Sequence, residues 1–264
     1  MTAISANLEW LFTEATEGIG DRVRAAAAAG VRELEIWGWR SKDIPDLAAA
    51  LADTGARLLT LLVDPPLQLT DPATHDEFVQ AVGDSRAVAE RLASPNLVVV
   101  AGDERTDVPR SEQRANIVTA LTRGAVELEG SSVRLLLENL NSRVDHRGTY
   151  LSLIREGLDI IKEVGSPHLH LLLDAYHVAI MEEDLTAAIG DDITSIGHVQ
   201  VADAPGRHEP GTGEIDWGAR LRELRRLGYT GSFGMEYVPT TGSAASLAEI
   251  IRIVDQIDRS DDAQ

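Results

Sequence analysis

The sequence predicts a single (β/α)8 barrel, the TIM barrel fold of the α/β class. Short apolar runs alternate eight times with longer, Ala-rich charged segments that have helical spacing. The apolar runs, such as "VRLLLE" and "LHLLLD", are continuous, as expected for parallel strands that are covered on both faces. The 264 residues fit one barrel of this kind, and no Pro/Ser-rich linker divides them.

The predicted elements follow one another as eight strand–helix units. The strands are expected near residues 4–12, 32–37, 57–63, 96–101, 133–138, 168–174, 195–201 and 232–236. Helical patterns follow them near residues 18–29, 43–54, 74–93, 111–129, 149–164, 182–190, 216–227 and 243–258. Glycines such as Gly30, Gly55 and Gly165 come directly after helical runs and supply C-terminal stops.

A doubly wound sheet is the alternative arrangement of such units. No GxGxxG motif follows the first predicted strand, so the barrel is favoured. We therefore expect one barrel domain over residues 1–258. The remaining residues, 259–264, are polar and acidic, and we expect a frayed tail there.

Composition narrows the classes of function. The chain contains no cysteine, which excludes disulfides, thiolate nucleophiles and Cys-bound metal centres. The net charge of −19 disfavours a nucleic-acid partner, because a field of that sign repels phosphate backbones. The apolar runs are too short for a membrane span, and the first ten residues lack the pattern of a secretory signal. These features predict a cytoplasmic protein with a small-molecule partner, and a homo-oligomer stays open.

The last four predicted strands each end in a side chain that could bind a metal. These residues are Glu138, Asp174, Gln200 and Glu236, and each follows apolar residues that would be buried. In a barrel of this kind, the chemistry sits where strands end and the following loops begin. Converging buried carboxylates need a cation, and ligation by oxygen alone favours Mg²⁺ or Mn²⁺. The alternative is four separate polar residues bonded to neighbouring loops, and their occurrence on consecutive strands disfavours it.

Four segments carry a resemblance to a known family. "LLLENLNSR", "LLLDAYHVAIMEEDL", "IGHVQVADAPGRHEPGTGEIDW" and "GYTGSFGMEYVP" resemble the hydroxypyruvate isomerase family. That family belongs to the xylose isomerase-like barrels, which also include ketose 3-epimerases and endonuclease IV. The resemblance implies one divalent metal ion held by Glu138, Asp174, Gln200 and Glu236, with Glu138 and Glu236 as the acid/base pair. In the related epimerases the third ligand is a His, whereas this chain has Gln200.

The resemblance also implies residues that contact the substrate. These are His177, Arg207 and, less directly, His208. A substrate carboxylate suits Arg207 independently, because the guanidinium fork can hold it with two hydrogen bonds. Glu209 could orient His208 or simply bond its own loop.

Two departures from the family pattern affect the predicted pocket. The second strand ends "LEIWGWR", and the third ends "LLVDPP". We therefore expect Trp37, Trp39 and Asp64 in the pocket wall, although packing explains a buried Trp equally well. Glu35 is either another buried acid or a residue at the edge of its strand, and the edge is favoured.

The expected reaction is aldose–ketose type isomerisation of a small hydroxy-keto acid. The resemblance favours hydroxypyruvate, converted to tartronate semialdehyde by proton transfer through an enediolate. A 2-oxo-tetronate isomerase or a ketose 3-epimerase would use the same ligands with a different pocket. A non-catalytic sugar-acid-binding barrel is a further alternative, but such a binder has no need for two opposed Glu. An endonuclease IV-like nuclease is disfavoured, because it needs a cluster rich in His.

Overall fold

Eight parallel strands close into a barrel in a computed structural model that describes residues 4–15 and 18–261. Each strand pairs with its neighbours in chain order, and the first pairs with the eighth. The strands are β1 (Ile4–Asn7), β2 (Glu33–Glu35), β3 (Arg57–Leu62), β4 (Asn96–Val100), β5 (Arg134–Glu138), β6 (Leu169–Asp174), β7 (Ile196–Val201) and β8 (Phe233–Met235). The predicted fold class is confirmed.

Helices cover the outside of the barrel. They are α1 (Ile19–Ala28), α2 (Ile44–Thr54), α3 (His75–Leu92), α4 (Arg110–Glu127), α5 (Ile154–Val164), α6 (Ala175–Met181), α7 (Leu185–Ile189), α8 (Trp217–Leu227), α9 (Ser243–Ser246) and α10 (Ala248–Asp261). Two short 3-10 helices, Pro72–Thr74 and Ile193–Ser195, precede α3 and β7.

The two faces of each strand are buried in different places, which explains the continuous apolar runs. On β5, Leu135 and Leu137 join the large core between the strands and the helices. Leu136 faces the barrel interior, where it packs with Val98 and Leu172. Each fully buried Leu contributes roughly 1.5–3 kcal/mol of hydrophobic free energy to folding.

Many element boundaries differ by a few residues from the predicted ones, and three differences are larger or change the number of elements. β1 ends at Asn7 because the chain turns there: the Leu11 amide donates to the Asn7 carbonyl, and Phe12 has a φ of 61°. Leu8, Leu11 and Phe12 are buried in that turn rather than in a strand. Helix α5 starts at Ile154 rather than near 149, which leaves a long loop after β5.

The third difference is an additional helix. The region predicted as one helix near 182–190 contains only α7, and α6 begins immediately after β6. Asp174 ends β6 and also caps α6, because its Oδ1 accepts the backbone N–H of Tyr176 at 2.8 Å. Side-chain capping of this kind starts a helix without any intervening loop.

The C-terminal helix α10 continues through Asp261, so it includes the first three residues of the predicted tail. Residues 262–264 lie outside the described part of the chain. The domain boundary near 258 therefore stays a prediction. Within residues 4–15 and 18–261, no helix combines the length and the apolar character that crossing a bilayer requires.

Candidate active site

A cavity of about 330 Å³ lies at the carboxyl ends of the strands. Three of the four predicted metal ligands line it, namely Glu138, Gln200 and Glu236, together with His177 and Arg207. Asp174 lies next to them, since its carboxylate contacts both His177 and Arg207. A larger groove of about 890 Å³ runs along α7 and α8 outside the barrel, and it contains none of these residues.

Glu236 follows β8 directly, and its carboxylate is almost fully bonded. Oε1 accepts from Asn7 Nδ2 at 2.9 Å and from Trp37 Nε1 at 2.8 Å. Oε2 accepts from Arg207 Nη2 at 2.7 Å. Burial raises the pKa of Glu236 to about 7, the Arg207 charge opposes this rise, and the Asp174 charge adds to it. Glu236 is thus a buried acid whose proton affinity suits proton transfer near neutral pH.

Glu138 ends β5 and faces the same cavity. Burial, followed by the negative charges of Glu236 and Asp174, raises the pKa of Glu138 well above its usual range. Three acidic side chains therefore repel one another at the mouth of the barrel. A divalent cation would relieve that repulsion.

His177, on α6, is neutral and its protonated nitrogen can be assigned. Its Nδ1 lies 2.6 Å from Asn141 Nδ2. The Asn141 amide orientation is fixed because its Oδ1 accepts the backbone N–H of Val144 and Asp145. His177 Nδ1 is therefore the acceptor, and the proton lies on Nε2. Burial lowers the pKa of His177 to about 4, so the ring presents a neutral N–H donor 3.3 Å from Asp174.

Gln200, near the end of β7, has a side-chain carbonyl oxygen that is buried and available to accept from or bind a ligand. Its Nε2 donates to Glu35 Oε2 at 2.9 Å. Its Oε1 has no hydrogen-bond partner among the residues that the structure describes. An unpartnered buried oxygen costs free energy unless a ligand satisfies it. Together with Glu138, Asp174 and Glu236, it forms a donor set of oxygens that fits Mg²⁺ or Mn²⁺.

Among the described His, Asp and Glu residues, one group of potential ligand atoms includes His177. Single ligand atoms of Glu138, Asp174 and His177 lie within 4.8 Å of one another. With its proton on Nε2, His177 can donate a hydrogen bond to a substrate held beside the carboxylates, but it cannot bind a cation through that nitrogen.

Arg207 reaches the cavity from the loop between β7 and α8. Its backbone has a φ of 53°, an uncommon conformation for a residue other than glycine. Nη2 contacts Asp174 Oδ2 at 3.2 Å in addition to Glu236. The guanidinium lies between the rings of Trp10 and Tyr176, 4.9 Å from each centroid. Ion pairs and cation–π contacts therefore hold this cation over the acidic group.

Of the three residues expected in the pocket wall, only Trp37 lines the cavity. Trp39 lies away from the cavity and packs against the hydrophobic core, where its Nε1 donates to Ser85 Oγ at 2.9 Å. Asp64 accepts the backbone N–H of Arg40 at 2.8 Å and thereby organises the loop after β2. Trp39 follows the end of β2 by four positions and Asp64 follows the end of β3 by two. Loop conformation decides where such side chains point.

His208 and Glu209 bond the loop rather than line the cavity. The His208 ring donates to the Val238 carbonyl, with Nδ1 2.7 Å from the oxygen. Glu209 is buried and accepts from the backbone N–H and the hydroxyl of Thr240. The structure thus does not bring the predicted substrate contact His208 into the group formed by His177 and Arg207.

The expectation for Glu35 was wrong, because this residue is fully buried inside the barrel. Its Oε1 accepts from Ser5 Oγ at 2.6 Å and from His198 Nε2 at 2.9 Å. Burial alone would raise the pKa of Glu35, but His198 and the hydrogen bonds from Ser5 and Gln200 hold it below its usual value.

Sequence reasoning also missed several residues of the cavity, including Asn7, Trp10 and His146. Asn7 ends β1, so the strand-end criterion that identified Glu138 and Glu236 would have found it with the correct boundary. Trp10 and His146 lie in loops, and no pattern in the sequence distinguishes them.

Comparison with known proteins identifies the family of this barrel. The sequence profile of the xylose isomerase-like TIM barrel family matches residues 23–256. The chain belongs to this family. It is 31% identical over 257 residues to a putative hydroxypyruvate isomerase from Homo sapiens, and the match covers 92% of each chain. It is also 31% identical over 254 residues to a 2-oxo-tetronate isomerase from Cupriavidus necator, covering 94% of this chain and 96% of the relative.

A solved structure agrees with this assignment. A crystal structure described as an AP endonuclease of family 2 from Brucella melitensis has a TM-score of 0.88 and 26% identity, covering 96% of this chain and 99% of the other. The resemblance to the hydroxypyruvate isomerase family is confirmed, and the chain is an enzyme of the isomerase type.

Proposed function

We propose that this isomerase interconverts a small α-hydroxy keto acid and the matching α-hydroxy aldehyde, with the aid of Mg²⁺ or Mn²⁺. The preferred pair is hydroxypyruvate and tartronate semialdehyde. One observation carries the proposal: Glu138 and Glu236 face one cavity, and burial raises the pKa of both. Proton removal next to a carbonyl needs such a base, and proton return needs the matching acid.

Four residues would hold the ion, namely Glu138, Asp174, Gln200 and Glu236. The unpartnered Oε1 of Gln200 and the mutual repulsion of the carboxylates support this assignment. The chemistry that such an ion supplies is polarisation of the substrate carbonyl and compensation of developing negative charge.

The two glutamates would move the carbon-bound proton. One takes a proton from the carbon that bears the hydroxyl, which leaves an enediolate, and a proton returns to the neighbouring carbon. Isomerisation also requires a proton to move from one substrate oxygen to the other. The Nε2–H of His177 is a neutral donor beside the carboxylates and suits contact with those oxygens.

Arg207 would bind the substrate carboxylate. Burial lowers the pKa of His146 and His177, so Arg207 is the fully charged cation among the described side chains that line the cavity. The guanidinium fork can hold a carboxylate with two parallel hydrogen bonds.

A second candidate is isomerisation of 2-oxo-tetronate, a longer hydroxy-keto acid. This candidate is kept because the 2-oxo-tetronate isomerase is as similar to this chain as the putative hydroxypyruvate isomerase is, at 31% identity in each case. Both reactions use the same proton transfer, and they differ in the length of the substrate.

NMR-monitored deuterium incorporation from D2O tests the proposal. The substrates are hydroxypyruvate, 2-oxo-tetronate and D-fructose, each with Mg²⁺, Mn²⁺ or EDTA. We expect exchange and isomerised product with a keto acid and metal, and loss of both with EDTA. Product from D-fructose alone would indicate a ketose 3-epimerase instead. Tight binding of a keto acid without exchange would indicate a non-catalytic barrel. Full activity after exhaustive metal removal would overturn the metal dependence.

A further inference from the structure

We infer that Glu35 is a positioning residue, which turns the amide of Gln200 so that its oxygen rather than its nitrogen faces the cation site. The inference rests on the proposed function, because it assumes that Gln200 binds the ion. It assigns a role to a buried acid that the proposed proton transfer does not use.

The amide of Gln200 has two chemically different ends, and only the oxygen can bind a cation. Its Nε2 lies 2.9 Å from Glu35 Oε2 and 3.3 Å from Glu236 Oε1. A carboxylate accepts hydrogen bonds and donates none. Rotating the amide by half a turn would place its oxygen against two carboxylate oxygens, so the observed orientation is strongly preferred.

Glu35 is itself held in place by side chains of other strands. Ser5 on β1 and His198 on β7 donate to its Oε1, and the hydroxyl of Thr60 on β3 lies 3.5 Å from its Oε2. On β8, Gly234 leaves room for the pair. A Cβ at that position would lie 2.1 Å from Glu35 Oε1 and 2.7 Å from His198 Nε2.

This requirement is specific to Gln200. Glu138, Asp174 and Glu236 each offer two equivalent oxygens, so either orientation presents a ligand. An amide ligand needs a neighbour that distinguishes its two ends. Partners of this kind around metal ligands commonly contribute 10–100-fold to metal affinity.

The test measures Mn²⁺ affinity from the EPR signal of free Mn²⁺, without any substrate. In Glu35→Gln, Ser5 and His198 would hold the oxygen of the new amide, so its nitrogen would face Gln200 and favour the reversed Gln200 amide. We expect the Mn²⁺ dissociation constant to rise about tenfold or more. Glu33→Gln is the matched control, because Glu33 lies on the same strand but contacts Arg57 and Ser232 instead. We expect wild-type affinity in this control.

The double variant Glu35→Gln/Gln200→Glu separates positioning from general structural damage. It exchanges the carboxylate and the amide without changing the net charge. Residue 200 then offers two equivalent oxygens, and the amide at 35 can donate to it. We expect affinity within a few-fold of wild type.

Three results overturn the inference. These are wild-type Mn²⁺ affinity in Glu35→Gln, no recovery in the double variant, and an equal loss in Glu33→Gln. If Glu35→Gln does not fold, Glu35→Asp replaces it: the shorter acid keeps its charge but loses the contact to Gln200, so wild-type affinity there also overturns the inference. Failure of the wild-type protein to bind Mn²⁺ has a different meaning, because it overturns the proposed metal site itself.

Discussion

The two halves of the barrel mouth differ in chemistry. The half built by β5 to β8 supplies the ionisable groups, including Glu138, His177, Arg207 and Glu236. The half built by β2 to β4 supplies mainly hydrocarbon, from Ile36, Leu62, Val98 and Val100. Burial is the largest cause of the raised pKa of both glutamates, and the hydrocarbon side chains line the cavity that the two glutamates face. The proposed proton transfer therefore involves both halves of the barrel mouth.

Removing either glutamate should have the largest effect. We expect Glu138→Gln and Glu236→Gln to lower kcat by about 10²–10⁴-fold, because the amide cannot transfer a proton. Steady-state turnover of the keto acid measures this, with Glu33→Gln as the control. If either variant turns over within a few-fold of wild type, that glutamate is not the acid or base.

Removing the charge of Asp174 by Asp174→Asn should have the second largest effect. Asn caps helices as well as Asp does, so Asp174→Asn should leave α6 and the melting temperature nearly unchanged. The loss of a carboxylate should nevertheless weaken Mn²⁺ binding by more than about tenfold. Calorimetry and Mn²⁺ titration measure the two quantities separately. Unchanged Mn²⁺ affinity would place the ion elsewhere.

Arg207→Lys should have an intermediate effect. Lys keeps the charge but loses the two-pronged hydrogen bond and the planar contact with Trp10 and Tyr176. Charge-assisted hydrogen bonds are worth about 1.5–3 kcal/mol, so we expect KM for the keto acid to rise roughly tenfold or more. Kinetics over a range of substrate concentrations measure KM and kcat. An unchanged KM would show that the carboxylate binds elsewhere.

The apolar half should tolerate change best. Val100→Thr keeps the shape of the side chain and adds a hydroxyl to the apolar wall of the cavity. We expect about 1 kcal/mol less stability and a change in kcat of less than roughly fivefold. Denaturant unfolding and turnover measure these values. If Val100→Thr lowers kcat as much as Glu138→Gln does, the apolar half is as important for turnover as the polar half, and the comparison fails.

The sequence predicted the polar half far better than the apolar half. Glu138, Asp174, Gln200 and Glu236 follow from one physical rule, since parallel strands of a barrel end at one face. Arg207 and His177 came from the family resemblance. The four strand-end residues lie on or next to strands, where the regular pleat fixes the direction of the side chain, whereas Arg207 lies in a loop and His177 on α6.

The remaining residues depend on features that a single sequence does not encode locally. Glu35 was expected at a strand edge, and its burial follows from the strand register that places Ser5, His198 and Gln200 around it. His208 follows Arg207 directly, yet it points the other way because the loop turns between them. Loop conformation and register come from long-range packing, so local patterns did not reveal them.

The glycine on β8 has a consequence for protein design. Because a Cβ at Gly234 would collide with Glu35 and His198, no other residue can replace it while that pair stays in place. Grafting only the four proposed strand-end ligands onto another barrel would remove the Glu35 partner of the Gln200 amide nitrogen and leave it only the longer contact with Glu236. A transplant must therefore include Ser5, Glu35, His198 and this glycine. The set of residues needed to transfer the site to another barrel therefore includes buried residues of the barrel interior as well as those that line the cavity.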